Sequence, residues 1–222
     1  MNDKHRFHLA AAESLAGGEA PLAAAAAHAL TPSVDPQAVV LVEGTSDQVA
    51  LQTLAARRGR DLAAAGIAVV PMGGARNIRR FLELFGPRGL GVSLAGLCDA
   101  GEEGDFRRGL ERAGLGANLG RADMEALGFY VCVADLEDEL LRCLGAAAVE
   151  QIVQAQGELG SFRTFQQQPA WRGRSSQEQL RRFIGTHSGR KARYARLLVD
   201  ALELTSVPRP LDRVLAHVCR IE

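Results

Sequence analysis

The chain has 222 residues, 47% hydrophobic and 23% charged, and a formal net charge of zero. That length suits one α/β domain with an appendage or two small domains, and the composition is that of a soluble globular protein, excluding disordered and fibrous classes. The longest alanine-rich apolar run, Pro21 to Leu30, is too short to cross a bilayer, and the first eight residues lead into no signal-type apolar core; a cytoplasmic protein without membrane attachment is expected.

Residues 1–36 read as an alanine-rich helical segment, broken at Gly17-Gly18 and closed by Pro32 and Pro36. His5 and His8 form an isolated HxxH pair within it, too weak a pattern to define a metal site. From there the pattern becomes regular. Val39–Val42 is a continuous apolar run, as expected for a parallel strand covered on both faces, and Ser46–Arg58 follows with apolar residues at helical spacing. Ile67–Val70 is the second strand, and Met72-Gly73-Gly74 turns into a helix over Asn77–Phe85 that stops at Gly86-Pro87. Val92–Leu97 is the third strand, followed by a helix over Phe106–Leu115; Phe129–Val133 is the fourth.

Strands alternating with helices through short loops predict an α/β fold, a parallel sheet of about four strands with helices on both faces. Beyond Gly145 the strand signal ceases. A helix over Val149–Gln156 gives way to a polar stretch from Phe162 to Arg174. A capping box, Ser175 to Glu178, precedes Leu180–Ile184. A long helix over Arg190–Leu204 and a short one after Pro208 and Pro210 complete the chain. The expected division is a helical N-terminal segment (1–36), an α/β domain (37–145) and a helical C-terminal extension (146–222).

Charge is unevenly spread: 14 basic and 20 acidic residues lie in positions 1–150, against 12 basic and 6 acidic in 151–222. An acidic centre beside a basic arm fits a metal site next to a polyanion-binding surface, and equally an arginine-rich solvated helix face. The four cysteines, Cys98, Cys132, Cys143 and Cys219, make no CxxC pair or zinc spacing and read as free thiols.

In an open parallel sheet, ligands gather at the C-terminal ends of the strands. Three acidic clusters follow predicted strand ends here: Glu43 with Asp47, Asp99 with Glu102 and Glu103, and Asp135 with Glu137. If the strands are adjacent, the clusters share one rim, where like charges repel unless a cation lies between them. All-oxygen ligands without histidine or cysteine favour Mg²⁺ or Mn²⁺. Asp47 taken alone reads as a helix cap, whereas Glu43 leaves an apolar strand before the helix begins.

Val42-Glu43-Gly44-Thr45-Ser46-Asp47 between strand and helix, Leu97-Cys98-Asp99-Ala100-Gly101 ending a later strand, and Asp135-Leu136-Glu137 after the fourth resemble the Toprim domain of topoisomerases, bacterial primases and nucleases of the OLD (overcoming lysogenization defect) family. The Ser-Asp after Glu-Gly and the later Asp-Leu-Glu look most like the OLD branch, and the resemblance covers roughly residues 37–145. It implies magnesium-dependent phosphodiester chemistry on DNA, with Glu43 and Asp99 as catalytic metal ligands, Asp47 and Glu137 as further ligands, and Lys191 as a functional lysine beyond the core. The second aspartate of the family's Asp-x-Asp pair is absent, because Gly101 stands there; Glu102, Glu103 or Asp105 is the candidate replacement.

Lys191 also stands out by composition, being one of two lysines beside 24 arginines. Arg190, Lys191 and Arg193 are candidate nucleic-acid contacts. Gly73, Gly74 and Arg76 form either a phosphate-binding turn or simply a tight one. Residues 185–191 approach a P-loop pattern but have the wrong spacing, no following Ser/Thr and no preceding strand. OLD-type proteins carry an ATPase domain before the Toprim region; this sequence has no Walker motif, so such activity is expected either from a separate ATPase partner or not at all. The alternative function is a degenerate, non-catalytic Toprim module that binds nucleic acid or a partner protein.

Overall fold

Four strands, β1 (Ala38–Val42), β2 (Ile67–Pro71), β3 (Ser93–Cys98) and β4 (Phe129–Val131), form one all-parallel sheet in the order β2-β1-β3-β4. The computed structural model describes residues 37–186 and 188–220; the predicted N-terminal helix, with its His5–His8 pair, lies outside the described residues. Val42 is in register with Pro71 on one side and Leu97 on the other, and Cys98 with Val131, so all four strands end along one rim.

The helices are α1 (Thr45–Arg57), α2 (Ile78–Phe85), α3 (Glu103–Arg112), α4 (Arg121–Ala126), α5 (Leu136–Leu144), α6 (Ala146–Ala155), α7 (Leu159–Gln166), α8 (Ser176–Ile184), α9 (Ser188–Ala201) and α10 (Arg209–Val218). Alternation along β1 decides which face each side chain serves. Val39 and Leu41 pack with Phe81, Phe85, Phe106 and Phe129 under α2 and α3. Ala38, Val40 and Val42 join the opposite core, which runs without a break into Val149, Phe162, Phe183, Tyr194 and Val214 of the C-terminal helices. Gly96 in β3 is required by that packing: a Cβ there would lie 2.6 Å from the Phe129 ring.

Three differences from the predicted elements have physical causes. Helix α3 begins at Glu103 rather than Phe106, with Glu103 and Asp105 in a first turn where acidic residues oppose the helix dipole. The polar stretch contains most of a helix, α7, whose one fully buried anchor is Phe162 and which therefore shows almost no apolar period. Strand β4 stops at Val131, and Val133 projects into solvent with 66% of its surface exposed. The capping box at Ser175 forms as expected, with its hydroxyl accepting the Glu178 N–H. Cys98 and Cys132 are buried free thiols, Cys143 is exposed and Cys219 lies between.

Candidate metal centre

The sheet rim is built by three strand exits. Glu43 leaves β1, and the turn behind it is fixed by two backbone bonds: Met72 N–H to Val42 O at 2.8 Å and Gly74 N–H to Glu43 O at 3.1 Å. The Gly74 amide is thereby engaged inside the protein, and Asn77 Nδ2 closes the same turn on Met72 O at 2.8 Å. Gly73 and Gly74, at φ 70° and 120°, thus form a tight turn that leaves Arg76 exposed. Asp47 is buried at the start of α1, where its Oδ2 accepts the Gly44 N–H at 2.9 Å. It therefore serves as a cap while still facing the rim.

Asp99 leaves β3 and is followed by a 3-10 turn over Ala100–Glu102. The turn is held by Glu102 N–H to Asp99 O at 3.0 Å, and by Ala100 N–H to Ala134 O at 3.0 Å across to the exit of β4. It swings Glu102 back over the sheet. Glu43, Asp99 and Glu102 each place a carboxylate oxygen within 4.8 Å of the other two. Glu103 and Asp105 are not part of this group: Glu103 pairs with Arg121 and Asp105 with Arg108, both at 2.5 Å. The 3-10 turn ends on Glu102, which faces the cluster, while Glu103 and Asp105 in the first turn of α3 face their arginine partners. Gly101 sits exposed in that turn, with nothing within 4 Å of where a Cβ would stand.

At the β4 exit, Asp135 caps α5 by accepting the Asp138 N–H at 2.8 Å and takes a two-pronged contact from Arg181 of α8, Nε at 2.8 Å and Nη2 at 2.5 Å. Glu137 is buried, and its Oε2 lies 3.2 Å from Lys191 Nζ on α9. Helix α9 is laid along α1, and Arg57 clamps its end by donating to Val199 O and Leu202 O at 2.7 Å. Arg190 and Arg193, the candidate nucleic-acid contacts, both pair with Glu158, and the Arg190 guanidinium lies 4.4 Å from the Phe183 ring centroid.

The electrostatics follow from crowding. Burial, then the charges of Asp47, Glu43 and Asp135, push the Asp99 carboxyl up to about 8. Burial and a hydrogen bond with Glu43 push Glu102 up to about 7. Burial likewise raises Glu137 to about 7, with Lys191 acting against it, and raises Asp47. Burial works against the Lys191 ammonium, but the charges of Glu137, Asp47 and Asp99 prevail and hold it well above its ordinary value.

Two buried side-chain oxygens among the described residues have no hydrogen-bond partner, Glu102 Oε2 and Glu137 Oε1, and both belong to this rim. A buried carboxylate oxygen without a donor is costly, and a hard divalent cation satisfies it. The donor set fits such an ion.

A parallel α/β sheet with carboxylates gathered at the strand exits is the architecture of a Toprim domain. Residues 37–100 match the family model described as overcoming lysogenization defect protein-like, TOPRIM domain, and the chain carries an OLD-like Toprim domain. The C-terminal region of the Xanthomonas campestris pv. campestris OLD protein superposes with a TM-score of 0.65 at 22% identity, covering 84% of this chain and 96% of that one. The C-terminal region of the Burkholderia pseudomallei OLD protein gives 0.62 at 18% identity over 85% and 100%. No curated protein sequence matches the chain. The solved structures share the fold, including the helical segment beyond the sheet. Among the described residues no helix is long and apolar enough to cross a membrane.

Proposed function

We propose that the chain catalyses divalent-metal-dependent hydrolysis of phosphodiester bonds in DNA, with Mg²⁺ or Mn²⁺ held by Glu43, Asp99 and Glu102. The observation that carries this reading is the pairing of that carboxylate cluster with two orphaned buried oxygens on the same rim. A divalent cation bound there would polarise a phosphoryl oxygen and lower the pKa of a bound water. Glu43 and Asp99 are anchored at strand ends whose register is fixed, so their oxygens are preorganised. Asp47 holds the Gly44 amide and keeps the β1–α1 turn tight beneath Glu43. Glu137 tethers Lys191, whose ammonium offers the compact positive charge that a substrate phosphate needs beside so many carboxylates. Arg181, locked on Asp135, adds a second cation at the rim's edge.

The substitution of glycine at position 101 favours the second reading, a Toprim module that binds nucleic acid or a partner without cutting it; Glu102 supplies a carboxylate next to the missing one. Supercoiled plasmid incubated with the protein and Mg²⁺ or Mn²⁺ should be nicked and linearised, with no reaction in EDTA and none for Glu43→Gln. Absence of cleavage with either metal, together with absence of metal binding by calorimetry, would select the non-catalytic module. A separate ATPase partner remains part of the proposal and is tested by adding ATP and cell extract to the plasmid assay.

A further inference from the structure

The polar stretch that the metal centre leaves unused contributes to one wall of a cleft at the Asp135–Glu137 end of the rim. This cleft, about 440 Å³, is lined by Asp135, Glu137 and Lys191 on the rim side and by Trp171, Arg174, Glu178, Arg181 and Arg182 on the other, Glu178 being paired with Arg174 at 3.5 Å. Trp171 is the single tryptophan of the chain. It stacks against Phe165, with ring centroids 5.2 Å apart and planes 26° from parallel, and turns the remainder of its surface to the cleft. The turn bearing it is rigidly held: buried Gln179 donates to Trp171 O at 2.8 Å and accepts from Gln166 Nε2 at 2.7 Å. Arg181 is fixed by Asp135, while Arg174 and Arg182 are exposed at the mouth.

Resting on the nuclease reading above, we infer that this cleft takes a single strand of nucleic acid, one base lying against Trp171 and the flanking phosphates on Arg181 and Arg182. The volume is that of a small-ligand pocket, with room for roughly one nucleotide, and no duplex fits it. A fixed aromatic face interleaved with guanidinium groups is the chemistry that holds unstacked bases without regard to sequence. Rim carboxylates repel a phosphate backbone, so the cations of this wall are where an entering strand finds countercharge. The substrate therefore presents a frayed end, gap or unwound segment rather than intact duplex.

The single tryptophan makes the test direct. The whole chain in EDTA, which prevents cleavage, is titrated with an oligothymidylate and with a blunt duplex while Trp171 emission is followed; anisotropy of labelled oligonucleotide measures binding in parallel. Saturable quenching by the single strand is expected, with duplex binding at least about tenfold weaker. Trp171→Ala should weaken single-strand binding by about tenfold or more. Arg182→Glu, an exposed site that leaves the fold intact, should weaken it comparably with Trp171 still reporting. Unchanged emission on binding, equal affinity for duplex, no binding, or undiminished affinity in Arg182→Glu would each overturn the inference. Quenching without plasmid cleavage would leave the cleft standing and remove the nuclease reading; cleavage without quenching would do the reverse.

Discussion

The metal-free rim should be an electrostatic burden on the folded state, and Asp99→Asn exposes it. Asp99 makes no side-chain cap hydrogen bond at the 3-10 turn that it precedes, so the amide removes a charge without removing a cap. The carboxyl sits at about 8 when folded, against an ordinary 3.8 in the unfolded chain, because of burial and its anionic neighbours. Between about pH 4 and about pH 8 the folded state keeps a proton that the unfolded chain has released, so stability falls as pH rises through that window and levels off above it. At about 1.4 kcal/mol per unit the bare shift amounts to roughly 6 kcal/mol; discounted for the site's access to solvent, about 2–3 kcal/mol remains. Asp99→Asn should therefore raise the melting temperature in EDTA at pH 8 by about 4–10 °C, and by clearly less at pH 5. Added Mg²⁺ should reverse the order. An ion at a hundred times its Kd stabilises by about 2.7 kcal/mol, and the variant should lose most of that gain. Thermal melts at the two pH values, with EDTA and with Mg²⁺, contain the whole test. An asparagine variant no more stable than the parent at pH 8 in EDTA would refute the reasoning, because Asp99 would then carry no unrelieved charge.

Lys191→Ala should lower plasmid cleavage by about a hundredfold or more while costing little stability at pH 6, where Glu137, at about 7, can take up a proton in place of its partner. Equal losses of activity and melting temperature would make the lysine structural. Gly101→Asp should fold as the parent does, since its Cβ meets nothing within 4 Å and its φ is not positive, and should tighten a second ion in calorimetry. Two tight ions in the unaltered protein would mean that Glu102 already serves. Glu103→Gln and Asp105→Asn should leave metal binding unchanged and shift stability by less than about 1 kcal/mol, because each only breaks an exposed arginine pair; a tenfold loss in affinity from either would return it to the site.

Some of this was legible before any coordinates, and the limits have physical causes. Glu43 and Asp99 could be placed because an apolar strand read by its continuous run must end somewhere, and parallel strands end together. Strand order followed no such rule, yet the shared rim did not depend on it. Which of Glu102, Glu103 and Asp105 turns inward was undecidable, because one 3-10 turn between strand and helix sets the phase of all three. The pairing of Arg190 and Arg193 with Glu158 is not legible in the sequence, because that partner stands more than thirty positions away. The sequence does not mark Arg181, because a half-exposed arginine on a well-capped helix looks like any other until the fold sets it against the strand-exit Asp135. Helix α7 went unseen because a helix anchored by one phenylalanine has no period to read.

The helical C-terminal segment is more than an appendage to the sheet. Six carboxylates, Glu43, Asp47, Asp99, Glu102, Asp135 and Glu137, crowd the rim, and the two cations that answer them, Lys191 and Arg181, come from α9 and α8. The same helices fill the core face beneath β1 with Phe183, Tyr194 and Leu198, so apolar burial and charge compensation arrive on one piece of chain. Burial of that face fixes where α8 and α9 lie, and their position fixes where the two cations stand. A site of this kind cannot be tuned by the sheet alone. Any change that shifts α9 along α1 moves Lys191 relative to Glu137, and through it alters the charge balance among the six carboxylates of the rim.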